Sequence, residues 1–335
     1  MSLNQATIFP MFSLPPMATN VLTTNNHNLE LDCKKIHDSL GSLSQFIPSL
    51  ACLTQLQRQE LRETYNGIYG EDLINRLQRY EAGVSFMKAS ALSLWMLDPH
   101  ERDAVLAREV LEQDEPNFEV LLEIFLGRKS SHILLIKQAY QRRFRRVLDQ
   151  DIVNLDPPYS FQKILLALAA SHKAHQIDVS QHISKLDARR LYETGEGSPA
   201  GAIEEAVVLE ILSKRSIPQL KLTFLSYKHI YGHDYTQSLE RGNFGEFEKA
   251  LKLVVKFICN PANYYAKALF GSMKGGRSSE ETLARVLVSR AEVDMDEIKR
   301  VFKEKYGKEL PHVMRESISS GDYKDFLLAL ATKAK

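Results

Sequence analysis

Five cations fall within ten residues, Lys137, Arg142, Arg143, Arg145 and Arg146, with no acid before Asp149. Clustered guanidinium groups can hold phosphates or acidic headgroups through paired N–H donors. Leu135, Ala139, Phe144 and Val147 recur at helical spacing, so a helix over 134–148 is expected, with those four residues toward the core and the cations in water. With Phe144 in the core, no aromatic series remains for base stacking; acidic lipid is the expected partner and nucleic acid is not. A second candidate is Gly275-Gly276-Arg277-Ser278, preceded by Gly271-Ser272-Met273-Lys274. It imitates a phosphate-binding P-loop with Arg277 at the lysine position. Such loops follow a strand, whereas Tyr264 to Met273 has helical spacing, so nucleotide binding is not expected. Ser278 and Glu281 have the spacing of a helix capping box.

The remaining reactive side chains are scattered. Cys33, Cys52 and Cys259 form no CxxC pair, which argues against a disulfide framework and a four-ligand zinc site and for a reducing compartment. His172 and His175 stand three apart beside Lys173, without the spacing of a metal-ligand motif. No nucleophile, base and orienting acid can be assembled from spacing, so no enzyme is expected. Forty-three Lys+Arg against forty-two Asp+Glu give a net charge of +1, so any attraction to a charged surface must be local.

Positioning these groups falls to helices. The chain has 335 residues, 44% hydrophobic and 25% charged, enough apolar material for a large core. Residues 1–28 hold Pro10, Pro15, Pro16 and a run of Thr and Asn, and are expected to be a leader without regular structure. The first charged residue is Glu30 and the first basic one Lys34, so no secretory or organellar signal is read and export is not expected. Runs such as Ile164 to Ala170 are far short of the roughly 20 apolar residues of a membrane span. Beyond the leader, apolar residues recur every three or four positions, as in Ile298, Val301, Phe302 and Tyr306. The expected class is all-α, with loops at Asp98-Pro99, Asp156-Pro157-Pro158, Gly195 to Pro199 and Gly275-Gly276.

The strongest signal is repetition. Tyr69-Gly70-Glu71-Asp72, Tyr231-Gly232-His233-Asp234 and Tyr306-Gly307-Lys308-Glu309 share an aromatic, a helix-ending Gly and an acid two residues beyond it, and Phe144 is the degenerate fourth copy. Arg128, Arg215 and Arg290 lie sixteen residues before Phe144, Tyr231 and Tyr306, and Phe86, Phe161, Phe247 and Tyr323 lie sixteen or seventeen after the four anchors. Leu53 breaks the arginine rule in the first copy. Anchors 75, 87 and 75 residues apart leave room for about five short helices per unit.

Four such units resemble the annexin family. Met273 to Ser278, Leu287 to Asp294 and Ser320 to Tyr323 carry the likeness in the fourth unit, and Leu94-Trp95-Met96-Leu97-Asp98-Pro99-His100-Glu101-Arg102-Asp103-Ala104 resembles the plant branch. The resemblance implies a curved disc of four five-helix repeats, over 29–99, 100–174, 175–261 and 262–335. It also implies a cytoplasmic protein that associates peripherally with acidic phospholipid through calcium ions. In the family each calcium is held by carbonyls of a Gly-x-Gly-Thr loop and by a carboxylate about forty residues on, and lipid oxygens complete the shell. This sequence departs from that pattern. The fourth unit has Arg277 at the second loop glycine and Ile318 at the carboxylate. The first has Gly41-Ser42-Leu43-Ser44 with Tyr80, the third Gly195-Glu196-Gly197-Ser198 with Gly242, and the second, around Gln113 to Pro116, has no loop glycine. The expectation is a preserved fold with weakened calcium sites, the remnant being Met273, Gly275, Gly276 and Arg277, and Glu196, Glu316 and Asp322 the acids placed to substitute. Cys52, just before Leu53 at the arginine position, stands where some plant members have the histidine linked to peroxidase-like activity, and Leu209-Glu210-Ile211 replaces the actin-associated Ile-Arg-Ile; neither property is expected to carry over. The alternative is a calcium-independent helical scaffold that binds protein or acidic lipid through the arginine cluster.

Overall fold

The computed structural model describes residues 26–38, 46–82, 90–114, 116–155, 160–170, 179–199, 203–241, 245–275 and 277–333. Within them are twenty α-helices and no strand, falling into four sets of five. The first set is α1 (Asn26–Asp38), α2 (Ile47–Cys52), α3 (Gln55–Tyr69), α4 (Leu73–Ala82) and α5 (Ser90–Met96). The second is α6 (Pro99–Leu111), α7 (Phe118–Leu126), α8 (Ser130–Phe144), α9 (Leu148–Val153) and α10 (Ser160–Ala169). The third is α11 (Gln181–Glu193), α12 (Glu205–Lys214), α13 (Ile217–Tyr231), α14 (Tyr235–Arg241) and α15 (Glu246–Cys259). The fourth is α16 (Pro261–Ser272), α17 (Arg277–Arg290), α18 (Met295–Tyr306), α19 (Leu310–Ser317) and α20 (Asp322–Thr332). Helix α1 takes in the last three residues of the expected leader, 26–28, and residues 1–25 lie outside the described residues.

The third helix of each set explains why the repeat is visible in the sequence. Helix α3 starts on a reciprocal cap, in which the Gln57 N–H donates to the Thr54 hydroxyl and the Thr54 N–H to the Gln57 carboxamide. Ser216 caps α13 in the same position. Helices α3, α13 and α18 end on Gly70, Gly232 and Gly307 at φ 68°, 80° and 70°, where any other L residue is strained. The aromatic before each turn lies against the first helix of its own set. Tyr69 stacks on His37 at 3.9 Å, Tyr231 on Tyr192 at 4.0 Å and Tyr306 on Phe270 at 3.9 Å, while the Arg108 guanidinium sits 6.0 Å from the Phe144 ring. One turn earlier, Tyr65, Tyr140, Tyr227 and Phe302 are completely buried.

The repeated arginines are structural in the same sense. Arg128 donates to Asp103 at 2.6 Å and Arg215 to Asp187 at 2.7 Å, each tying the end of a second helix to a buried acid on the first. In the fourth set Tyr265 stands at the acid's place, so Arg290 lies 4.8 Å over its ring and donates to Asp294 at 2.8 Å. Where Leu53 replaces the arginine, Asp32 pairs instead with Lys35 at 3.6 Å.

The sets close on one another as a curved disc of four repeats. Helices α2 and α5 of the first pack against α20 and α17 of the fourth, α10 and α7 of the second against α12 and α15 of the third, and α15 against α16. Apolar stripes on these helices form one continuous core, with Trp95 and Phe125 fully enclosed. The Trp95 indole N–H donates to the Leu50 carbonyl at 2.9 Å, so the ring is buried without an orphaned donor. No described helix is long and apolar enough to cross a membrane.

Two sequence expectations need correction. Helix α8 runs from Ser130 to Phe144 rather than over 134–148, and its buried stripe is Ile133, Ile136, Ala139 and Tyr140. Leu135 sits about 100° around the helix from Ile136 and is exposed, and Val147 lies beyond the helix and is exposed too; Ala139 and Phe144 face inward as expected. Helix α17 begins at Arg277, so Ser278 lies inside the first turn and not at the cap; the side chains of 277–279 lie outside the described residues.

Candidate functional site

The loop between α11 and α12 folds back on the end of its helix. The Gly195 and Gly197 N–H groups both donate to the Tyr192 carbonyl, at 3.1 and 2.8 Å, and the Glu204 N–H to the Thr194 carbonyl at 2.8 Å. A Cβ on Gly197 would lie 2.5 Å from the Tyr192 ring, which explains glycine there. Glu196 is thereby turned toward α13 and α14. It accepts from Arg241 Nη1 at 2.6 Å, lies 2.8 Å from His233 Nε2, and is 3.5 Å from the Tyr227 hydroxyl. Burial alone would raise its carboxyl, but hydrogen bonds from Ser238, His233 and Arg241 hold it down at about 2. Glu196 is therefore a charged group already paired with the protein's own Arg241.

In the fourth set, α16 ends at Ser272, Met273 is its cap residue, and the Lys274 N–H donates to the Gly271 carbonyl at 3.2 Å. Gly275 follows at φ 98°, a turn that only glycine makes without strain. Gly276 and the Arg277 side chain lie outside the described residues. Forty-three positions beyond Gly275, Ile318 ends α19 in extended backbone and packs its side chain on the core, offering no oxygen to a cation. Nearby Glu316 is engaged by Lys308 at 3.3 Å and His312 at 3.2 Å, and Asp322, at the start of α20, also has a partner. In the other sets, Gly41 to Ser44, the Tyr80 side chain, Glu115 and Gly242 lie outside the described residues; Gln113 and Asp114 are exposed. Among the described residues no three His, Cys, Asp or Glu side chains converge as a metal-holding group. Among the described residues of the third and fourth units, the carboxylates of Glu196, Glu316 and Asp322 therefore each already have a partner within the protein.

The basic cluster divides in two. Lys137 donates to Asp149 at 2.8 Å and to the Ala169 carbonyl at 2.7 Å, and Arg146 is held by Asp151 through three hydrogen bonds of 2.7 to 2.9 Å. Both are structural. Arg142, Arg143 and Arg145 are exposed, and their guanidinium groups make no hydrogen bond or ion pair among the described residues. Arg143 acts at longer range on Asp72, and it lies 6.0 Å from the Phe144 ring.

Several charged groups that sequence reasoning missed join the units. Arg58 is buried, donates to Glu292 at 3.0 and 2.8 Å and to the Leu53 carbonyl at 2.8 Å, and lies 3.8 Å over Trp95. Glu123 accepts from Arg285 and from the Tyr264 hydroxyl at 2.9 Å, which links α7 to α16 and α17; burial pushes the Arg285 guanidinium down to about 10. Arg102 is buried with Nε and Nη1 unpartnered among the described residues. Sequence separations of 234 and 162 residues leave no local signal for the first two pairs.

A family model described as Annexin matches residues 187–254 and 264–330. The chain is 33% identical to annexin A13 of Homo sapiens over 308 residues, covering 90% of this chain and 95% of that protein. It is 31% identical to annexin-like protein RJ4 of Fragaria ananassa, covering 83% and 86%. These similar identities do not separate a plant branch from a vertebrate one. The solved structure titled annexin III superposes with a TM-score of 0.83 at 29% identity, over 94% of this chain and 97% of that one. With its twenty helices in four sets of five, this chain belongs to the annexin family, whose members bind phospholipid in a calcium-dependent manner.

Proposed function

We propose that this protein is a peripheral acidic-phospholipid-binding annexin whose calcium dependence is weakened in its own loops. The observation that carries the reading is the engagement of Glu196. A divalent cation entering the third loop must displace a guanidinium held at 2.6 Å, and the nearest substitute for a missing family carboxylate is already spent. Ile318 supports the same reading in the fourth unit, because an aliphatic side chain cannot complete an oxygen shell. We take the units as 29–99, 100–174, 175–261 and 262–335. The three free cysteines support a reducing, cytoplasmic setting, and the reading assigns no catalytic step.

Sedimentation with phosphatidylserine vesicles over a calcium range tests it. Half-maximal, chelator-reversible pelleting is expected only at roughly 10⁻⁴ to 10⁻³ M calcium, the range of weak sites. Pelleting complete at micromolar calcium would overturn the weakening, and a calcium-driven component missing at every concentration would overturn the calcium part of the reading. The unpartnered state of Arg142 and Arg145 favours a second, calcium-independent reading of the surface.

A further inference from the structure

We propose that the exposed face of α8 is a calcium-independent docking surface for acidic phospholipid, with Arg142 and Arg145 binding the headgroup phosphate and Leu134 and Leu135 entering the interface beside it. This rests on the phospholipid-docking reading but not on its calcium component. Comparison of the four sister turns supplies the first argument. After α3, α13 and α18 the turn residue is glycine and the residue two further on is an acid, and each acid is paired: Asp72 with Arg62 at 2.9 Å, Asp234 with Lys228 at 3.1 Å, and Glu309 with Lys303 at 2.6 Å. After α8 the glycine is Arg145 and the acid is Val147. Both changes remove neutralising or neutral groups and leave cation and apolar surface in their place.

Arg145 also stands in the left-handed region, at φ 57°, where no other non-glycine among the described residues is found. The carbonyl end of a helix favours a cation in its last turn, which accounts for Arg142. It does not account for an arginine past that turn. The Arg145 N–H closes the helix on the Gln141 carbonyl at 2.9 Å, as the sister glycines close theirs, so the turn is set by the cap and only the guanidinium is left without a partner among the described residues.

The geometry of the face supplies the rest. At 100° per residue, Leu134, Leu135, Gln138, Gln141 and Arg142 fall within a sector of about 120° on α8, and these five and Arg145, just past the helix end, are all exposed. Gln138, Gln141, Arg142 and Arg145 line an open depression of about 450 Å³. Two guanidinium forks and two carboxamide NH2 groups supply donors for a phosphate, with no carboxylate among the lining residues. Two turns back along the same sector, Leu134 is 50% and Leu135 43% exposed. A soluble phosphate has no use for leucines, whereas an anionic bilayer surface takes up both the cations and the apolar side chains.

The test is sedimentation of the full chain in chelator with phosphatidylcholine vesicles, with and without phosphatidylserine, at low and moderate salt. Wild type is expected to pellet with the acidic vesicles only and to be released by salt. R142Q/R145G should weaken this pelleting about thirty-fold. Glycine at position 145 restores the sister turn, so the fold is not put at risk. L134S/L135S should weaken it while inorganic phosphate at matched ionic strength does not compete. Competition by inorganic phosphate with no effect of the leucine substitutions would replace the membrane by a soluble phosphate. Failure of wild type to pellet in chelator, or pelleting unchanged in R142Q/R145G, would overturn the proposal. Pelleting in calcium is read separately, so either reading can fail alone.

Discussion

Replacing Arg58 by alanine removes the clamp between the first and fourth units, and the structure sets the size of the loss. The guanidinium gives Glu292 two hydrogen bonds, gives the Leu53 carbonyl a third, and covers the Trp95 ring at 3.8 Å. Breaking a buried ion pair from one side costs about 3 to 5 kcal/mol when the remaining charge is stranded. Here Lys333 remains, 3.2 Å from Glu292 and 2.6 Å from the Leu53 carbonyl, which bounds the loss toward the lower end. The lost cation–π contact adds about 1 kcal/mol, so a total of about 4 kcal/mol is expected. Urea unfolding followed by fluorescence of Trp95, the single tryptophan, reads it directly. A double-mutant cycle with E292Q should give a coupling above about 1 kcal/mol. Burial would raise the Glu292 carboxyl, but the Arg58 hydrogen bond and the charges of Arg58 and Lys333 hold it below its usual range. With its folded value depressed, the pair's stabilisation is complete above the unfolded pKa of about 4.3 and is lost as the pH falls through the lower folded value. R58A should flatten that acid slope. A loss below about 1 kcal/mol, or E292Q costing the same with and without Arg58, would refute the reasoning.

Four other outcomes follow from the same contacts. Arg145→Gly should stabilise the protein by about 1 kcal/mol, because the left-handed turn then carries no Cβ, and its urea midpoint should rise without a change of slope. Arg102→Met should be neutral or stabilising by about 1 kcal/mol, since it removes a buried guanidinium with two unpartnered nitrogens; a clear loss of stability would show that those donors are satisfied. Glu196→Gln should cost about 1 to 2 kcal/mol and speed hydrogen exchange in residues 195–198, by weakening the Arg241 and His233 contacts. In the wild type the Glu196 contribution should persist above about pH 4.3 and fade as the pH drops toward about 2, a window absent from E196Q.

The repeat and its arginines could be read from the sequence because each follows a local rule kept in three of the four units. A glycine must end α3, α13 and α18, and Arg128 and Arg215 must each meet an acid on the first helix of their set, so type and offset survive. Partners across units follow no such rule: Arg58 and Glu292 meet only because the first and fourth sets close on each other. The division of the basic cluster was hidden for a related reason. Charge density alone does not tell Arg146, fixed by Asp151, from Arg145, which helical spacing had placed inside a longer helix. Yet the signal was there in the register, since Arg145 and Val147 occupy the positions of the glycine and the acid in the sister turns. The loops were legible in composition but not in consequence, because the internal partners of Glu196 come from α14 and from the turn before it.

The central claim is that this annexin docks on acidic phospholipid with its calcium sites weakened by the loss of carboxylate ligands. Its most direct test is a calcium titration of vesicle binding, with wild type and Ile318→Glu side by side on phosphatidylserine vesicles. The account predicts that the restored carboxylate shifts half-maximal binding at least about tenfold toward lower calcium, with a chelator-reversible rise. Identical curves for the two proteins, or micromolar calcium sufficing for the wild type, would contradict it.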